Sequence, residues 1–485
     1  MARTATARVL PAAAALCLAC GGDGSGPALA PARIDYVDGA IEPILVRGQQ
    51  FVIEGFGFGT ARGTVRLGVT EAPVADSAWA DRTITSTVPD AAAAGPLTVI
   101  TAGGRRLTAT VHVLPRPPLF KPDSLEWLAR APLPRAPAGV ALAAAEYPAG
   151  TAVRTTLFDA GGAEPFDSSG QLLMAPDSGV YVARALDAGG GTISAWARQG
   201  QALPAPRAFA AAAVATRHNS RLPGSALYVI GGIDAARRAQ ATVLGADVTP
   251  DSVSRRFIPL EPLPTPVAGA IAVVRRGRIY VIGGTNAQGL PQRTVYVGRI
   301  GADGHIDGWY QQPLLPAPRA YGGGLVRDGR VVAIGGVAEA VPPGGGVDAA
   351  PQRLVTSDTA PVSLVSGFFT GPWSPGPTLL PEGRSQFALL DLGTAVLVVG
   401  GMYDGATAND AETLAATTAG DSVGPLTGPV GVNRIGDGTC GPAGAGTLIG
   451  PAGVTWREGD GRYRGLVAGG LDLTTRGRRT CSWGF

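Results

Sequence analysis

The sequence predicts an all-β protein: a small sandwich followed by a long array of repeated four-stranded units. Three observations predict it. Six short apolar runs end in a glycine pair, at Gly161-Gly162, Gly231-Gly232, Gly283-Gly284, Gly335-Gly336, Gly400-Gly401 and Gly469-Gly470. The steps between first glycines are 70, 52, 52, 65 and 69 residues, a recurrence expected of stacked or radial β units. The 485 residues include 72 Gly and 41 Pro, yet 45% are hydrophobic and only 16% charged, so turns are abundant and there is ample apolar surface to bury. Between the turn residues lie short runs with strand-like alternation.

The N-terminus comes first. Arg3 and Arg8 precede an apolar run, Val9–Ala19, and small residues follow, the order of a signal peptide over residues 1–19. The run Leu16-Cys17-Leu18-Ala19-Cys20 resembles the signal of bacterial lipoproteins, which implies that Cys20 is the acylated residue. Cys17 departs from the leucine that pattern prefers, and cleavage after Ala28-Leu29-Ala30 is the alternative. A lipid on Cys20 anchors a chain to a membrane without spanning it. Residues 20–31, rich in Gly, Ala and Pro, read as a flexible tether. Gly21 follows the cysteine where inner-membrane retention uses Asp, which favours the outer membrane over the inner; the expected location is an outer-membrane lipoprotein, or periplasmic or at the cell surface. The formal charge is +3, falling to +1 without Arg3 and Arg8, and no basic stripe supports nucleic-acid binding. Lys121 is the single lysine, and no apolar run is long enough to span a bilayer as a helix.

Residues 32–115 lack the glycine pairs. They contain RIDYV, QQFVIEGFGF, GTVRLGV, RTITSTVP, PLTVITAGG and LTATVHVLP, short strands separated by turns. The run Phe51-Val52-Ile53 leads into Gly55-Phe56-Gly57-Phe58-Gly59, and Trp79 precedes Ile84 and Val88-Pro89. These features resemble the IPT/TIG family of immunoglobulin-like domains, which implies a spacer or adhesive module. The same glycines mimic a dinucleotide fingerprint, but the following Thr60–Thr64 leads into a strand and opens no helix, so a turn is expected.

Residues 119–485 hold the repeat. Before most glycine pairs stands a second signal: LPRAPAG from Leu133, LPAPRAF from Leu203, LPTPVAG from Leu263, LPAPRAY from Leu315 and LPEGRSQF from Leu380. After the pair, two units show a hairpin carrying Tyr181 with Trp196 and Tyr296 with Trp309, while Phe257 takes the tryptophan position of another unit. Double glycine followed by separated Tyr and Trp resembles the kelch repeat. Together the two resemblances imply an immunoglobulin-like β-sandwich followed by a six-bladed kelch-type β-propeller, with four strands per blade and glycines easing close approach of inner strands. Seven blades, with one in the 161–231 interval, are the alternative. The chain ends in TCSWGF soon after the last glycine pair, and Trp127 precedes the first Leu-Pro signal. Trp127 is therefore expected on the outer strand of the last blade, closing the ring from the N-terminal side.

Chemistry is sparse. Some kelch-like propellers are copper oxidases, but His112, His218 and His305 fall at unrelated places, so no metal site or cofactor is expected. Gly420-Asp421-Ser422-Val423-Gly424 matches a nucleophile motif without a nearby histidine and reads as a hairpin turn. Arg207, Arg319 and Arg384 recur at one point of the Leu-Pro signal. They suit either an anion-binding ring or packing between blades with bonds to strand-end carbonyls, and the second reading is preferred. Cys440 and Cys481 form a candidate disulfide in an exported chain, with two buried thiols as the alternative. Loops after the glycine pairs differ in length and content, and place Asp234, Arg237, Asn286, Glu339, Tyr403, Asp404 and Asp472 on one candidate ligand face. Asp159, Asp234, Asp404 and Asp472 also suit turn stabilisation. The functional expectation is a non-catalytic envelope module binding a protein or glycan. The alternatives are a propeller enzyme acting on a carbohydrate and an architectural surface protein.

Overall fold

Alternation sets the N-terminal region. In Thr64–Leu67 and Leu97–Ile100 every second side chain is buried, and these strands pair in a sheet with Thr70–Ala72 and Arg106–Ala109. A second sheet orders Arg33–Val37, Gln50–Phe56 and Thr83–Thr87, while Ile44–Val46 pairs in parallel with His112–Leu114. One core, including Phe51, Ile53, Phe58, Trp79, Ile84 and Val99, is shared between the two larger sheets. The Gly55–Gly59 segment ends a strand and precedes the strand Thr64–Leu67.

The computed structural model describes residues 31–135, 137–166, 172–186, 190–216, 225–327, 329–339, 353–403, 412–431, 448–472, 477–478 and 481–485. Cys20, His218, Asp404 and Cys440 lie outside the described residues, as does the side chain of Asp472. Ala32–Phe485 form one unit. No α-helix occurs among the described residues.

Beyond residue 127, six antiparallel four-stranded sheets follow among the described residues. Sheet one holds Ala141–Ala149, Ala152–Ala160, Val180–Arg184 and Ala197–Arg198; sheet two Ala211–Ala215, Ser225–Ile230, Val243–Val248 and Ile258–Pro259. Sheet three holds Ile271–Arg275, Arg278–Ile282, Val295–Ile300 and Ile306–Gln311; sheet four Gly323–Arg327, Arg330–Ile334, Thr356–Pro361 and Ser374–Leu379. Sheet five holds Ala388–Asp391, Ala395–Val399, Thr413–Ala419 and Ser422–Val423. Sheet six takes Ala452–Arg457, Tyr463–Ala468 and Ser482–Gly484 from the C-terminal end, and Leu128–Arg130 from far upstream. The 161–231 interval adds a two-stranded pair, Ala163–Phe166 with Leu172–Pro176.

The sheets stack in sequence and return on themselves. The first strand of each packs on the first strand of the next, and Ala452–Arg457 packs on Ala141–Ala149. Each neighbouring pair encloses its own apolar core. The core between sheets six and one contains Val454, Trp456 and Leu466 beside Leu142, Leu157 and Tyr181. Side chains of this kind contribute roughly 1.5–3 kcal/mol each when fully buried, so every inter-sheet layer is strongly cohesive. This all-β arrangement is propeller-like.

The upstream strand joins the last sheet in antiparallel register, with Ala129 opposite Trp483. Trp127 sits just before that strand rather than on it. Its ring meets Phe485 edge-on at 5.2 Å, and its indole N–H donates to Thr413 Oγ1 at 2.9 Å. Tyr181 and Tyr296 lie on third strands, Trp196 just before a fourth strand and Trp309 within one. The indole of Trp309 donates to the Glu261 carbonyl at 2.9 Å, and Trp373 does the same to Pro313, so these rings tie outer strands to the preceding link.

Candidate binding face

Each glycine pair ends a second strand, because the chain must there leave its sheet and meet the next. In all six pairs φ is positive, 57–70° at the first glycine and 84–100° at the second, a region open to glycine and costly for other residues. The second glycine donates its N–H to a loop carbonyl of the following sheet. Gly162 bonds Arg207 (2.7 Å), Gly232 bonds Val267 (2.8 Å), Gly284 bonds Arg319 (2.8 Å), Gly336 bonds Arg384 (2.7 Å) and Gly401 bonds Leu448 (2.7 Å). Gly470 then bonds Pro137 of the first sheet's loop at 2.9 Å. A Cβ on the first glycine of each pair would lie 2.0–2.6 Å from that same carbonyl oxygen. The structure thus corrects the reason for these glycines. They do not sit on the innermost strands, and the close approach that requires them is to the neighbouring sheet's loop.

Nearer the axis a second cycle of backbone bonds closes. Phe209 N–H donates to Gly139 O, Gly269 to Phe209, Tyr321 to Gly269, Gln386 to Tyr321, Gly450 to Gln386, and Gly139 back to Gly450, at 2.7–3.2 Å. All six residues have φ between 53° and 64°. Three are glycine; Phe209, Tyr321 and Gln386 hold the same strained conformation, at roughly 1–2 kcal/mol each. Their neighbours make room. A Cβ on Gly139 would meet the Phe209 ring at 2.6 Å, and one on Gly269 the Tyr321 ring at 2.4 Å. The two aromatic rings contact edge-on at 5.6 Å. Sequence reasoning missed this cycle. Its signal was the shared offset of Gly139, Phe209, Gly269, Tyr321 and Gln386 at the end of each Leu-Pro run.

The segments after the glycine pairs all start at this end of the sheets. Asp234 is half-buried, and its carboxylate accepts the backbone N–H of Ala236 (2.9 Å) and Arg238 (3.0 Å) and the Gln240 amide (2.8 Å). The Arg238 N–H, more than any other partner, holds that carboxyl below its ordinary range. Asn286 makes the same turn one sheet later, accepting from Gln288 and Leu290 at 3.0 Å. Both residues therefore shape their loops. Arg237, with φ of 58°, and Glu339 are exposed. Tyr403 is half-buried beneath the Arg384 guanidinium, 4.6 Å from the ring centroid.

The recurring arginines face inward. Arg319 is 1% exposed, donating to Asp358 at 2.7 Å and to the carbonyls of Gly335 and Thr356. Arg384 donates to the Gly400 carbonyl at 2.9 Å and reaches Glu412 at 3.5 Å. Arg207 reaches Thr242 Oγ1 at 3.0 Å. Burial lowers the affinity of all three for their protons. These contacts tie loops to strand ends and leave no exposed ring of guanidiniums. Arg135 plays a related part in the first sheet, donating to Asp159 at 2.7 Å. Burial nevertheless pushes the Asp159 carboxyl up to about 7, against the pull of Arg135.

The remaining candidates separate. Ser422 is exposed in the strand just after a tight turn at Gly420-Asp421, its register partner being Ala419. His305 is exposed in a turn and His112 lies in the N-terminal region, and no group of His, Cys, Asp or Glu suited to a metal occurs among the described residues. Cys481 is 3% exposed.

No family model matches the chain. No curated protein matches it either. Among solved structures the chain is similar to one titled "Structure of YjhT", at 13% identity, covering 73% of this chain and 95% of that one, with a TM-score of 0.45.

Proposed function

We propose that this chain is an exported, lipid-anchored envelope protein of bacteria, acylated at Cys20, in which an IPT/TIG-like domain carries a six-bladed kelch-type propeller. The propeller acts as a non-catalytic binding module for a protein or a glycan. One observation carries this reading: the glycine pairs deliver segments of different length and content to one end of a rigid, hydrogen-bonded frame. Variable loops on a rigid scaffold are where recognition concentrates. Arg237 and Glu339 are the exposed charged groups of that face among the residues singled out. The buried Cys481 is taken to pair with Cys440 in the exported chain.

Glycan arrays and immobilised envelope proteins, probed with the exported region, test the proposal. A defined ligand should bind, and combined charge reversal, Arg237→Glu with Glu339→Arg, should weaken it about tenfold or more, the equivalent of ~1.4 kcal/mol. Blank arrays in both formats, or a ligand indifferent to the reversal, would contradict it.

A further inference from the structure

At the other end of the first strands lies a cavity of about 490 Å³. Glu146, Ala215, Arg275, Arg327, Asp391 and Arg457 line it, one from the second half of each sheet's first strand. The segment from Asp38 to Gln49 of the N-terminal region covers it. This cover is fixed by charge. Asp38 pairs with Arg276 and, at 3.5 Å, with Arg275, and Arg276 also donates to the Gln50 carbonyl at 2.8 Å. Arg457 grips Glu146, Nε to Oε2 at 2.8 Å, and donates to the Ile44 carbonyl at 3.2 Å.

The lining is polar and electrically balanced. It holds four carboxylates, Asp38, Glu42, Glu146 and Asp391, and four guanidiniums, Arg275, Arg276, Arg327 and Arg457. Arg327 pairs with Asp391 and donates to the Gly393 carbonyl at 2.6 Å. A charged ligand would have to break such a pair or enter without a free counter-charge, either of which has a cost where the groups are partly desolvated. An apolar ligand would strip these groups of partners without replacing them. Hydroxyl groups face neither obstacle, since each can donate to a carboxylate lone pair and accept from a guanidinium. The volume falls within the range of small-molecule sites.

We propose that this cavity binds a small uncharged polyhydroxy compound, of monosaccharide to disaccharide size, between the N-terminal domain and the strand ends. The site lies at the opposite end of the strands from the variable loops and does not rest on the reading of that face. Calorimetry on the full chain tests it with glucose, maltose and sorbitol, set against glucuronate and glucosamine. At least one neutral compound should bind at millimolar concentration, with both charged compounds about tenfold weaker or more. Thr216 also lines the cavity, and Thr216→Trp, which fills it from that wall, should abolish that binding. Asp391→Asn leaves Arg327 without its carboxylate and should turn the preference toward glucuronate. No binding by any neutral compound overturns the proposal. So does equal binding of charged ones, or binding unaffected by either substitution in variants that melt as the wild type does.

Discussion

Gly283→Ala is expected to destabilise the protein by about 3 kcal/mol or more. The new Cβ would lie 2.0 Å from the Arg319 carbonyl oxygen, the same oxygen that accepts the Gly284 N–H. Neither partner is a flexible side-chain end, so relief requires sheets three and four to move apart. The backbone conformation, with φ of 62°, adds roughly 1–2 kcal/mol for any residue with a Cβ. Gly420→Ala separates the two contributions. Its φ is 59°, but nothing lies within 4 Å of the added atom, so only the conformational cost of about 1 kcal/mol remains. Urea unfolding of both variants measures the difference. Equal losses would mean that the approach to the neighbouring loop is not what selects glycine here.

Asp358→Ala is expected to cost about 3–5 kcal/mol, because it strands a buried cation. Arg319 is 1% exposed, and Asp358 is its carboxylate partner among the described residues, at 2.7 Å. The carbonyls of Gly335 and Thr356 still accept from the guanidinium but carry no charge to balance it. Burial already opposes the charged form of Arg319, with the Asp358 carboxylate working against that effect. The double substitution Arg319→Met with Asp358→Leu removes both charges and should recover most of the loss. Thermal melting of the three variants decides the matter. A double variant as unstable as Asp358→Ala would show that packing, not the unpaired charge, dominates.

The parts of this structure that were legible in the sequence are those where one residue type has no substitute. The glycine pairs are visible because two successive positive φ values and a facing carbonyl exclude every side chain. Asp234 was readable as a turn residue because its short carboxylate reaches N–H groups two and four residues on. The inner cycle of backbone bonds was not readable. Phe209, Tyr321 and Gln386 hold the conformation that Gly139, Gly269 and Gly450 also hold, so no residue type marks it. The charged cavity was hidden for a different reason. Its walls come one from each sheet, as Glu, Ala, Arg, Arg, Asp and Arg, and only the fold brings those strand ends together. The shared sixth sheet lies between these cases: a late Ser482–Gly484 and an early Leu128–Arg130 each read as one strand short of a unit.

The central claim is that the array closes, with sheet six bonded to sheet one as firmly as any sheet to its neighbour. Native-state hydrogen exchange at the second glycine of each pair tests it most directly. The amides of Gly162, Gly232, Gly284, Gly336, Gly401 and Gly470 each donate to the following sheet at 2.7–2.9 Å. They should all exchange only through global unfolding, with equal protection. A Gly470 amide that exchanges orders of magnitude faster than that of Gly284 would show an open seam and contradict the account.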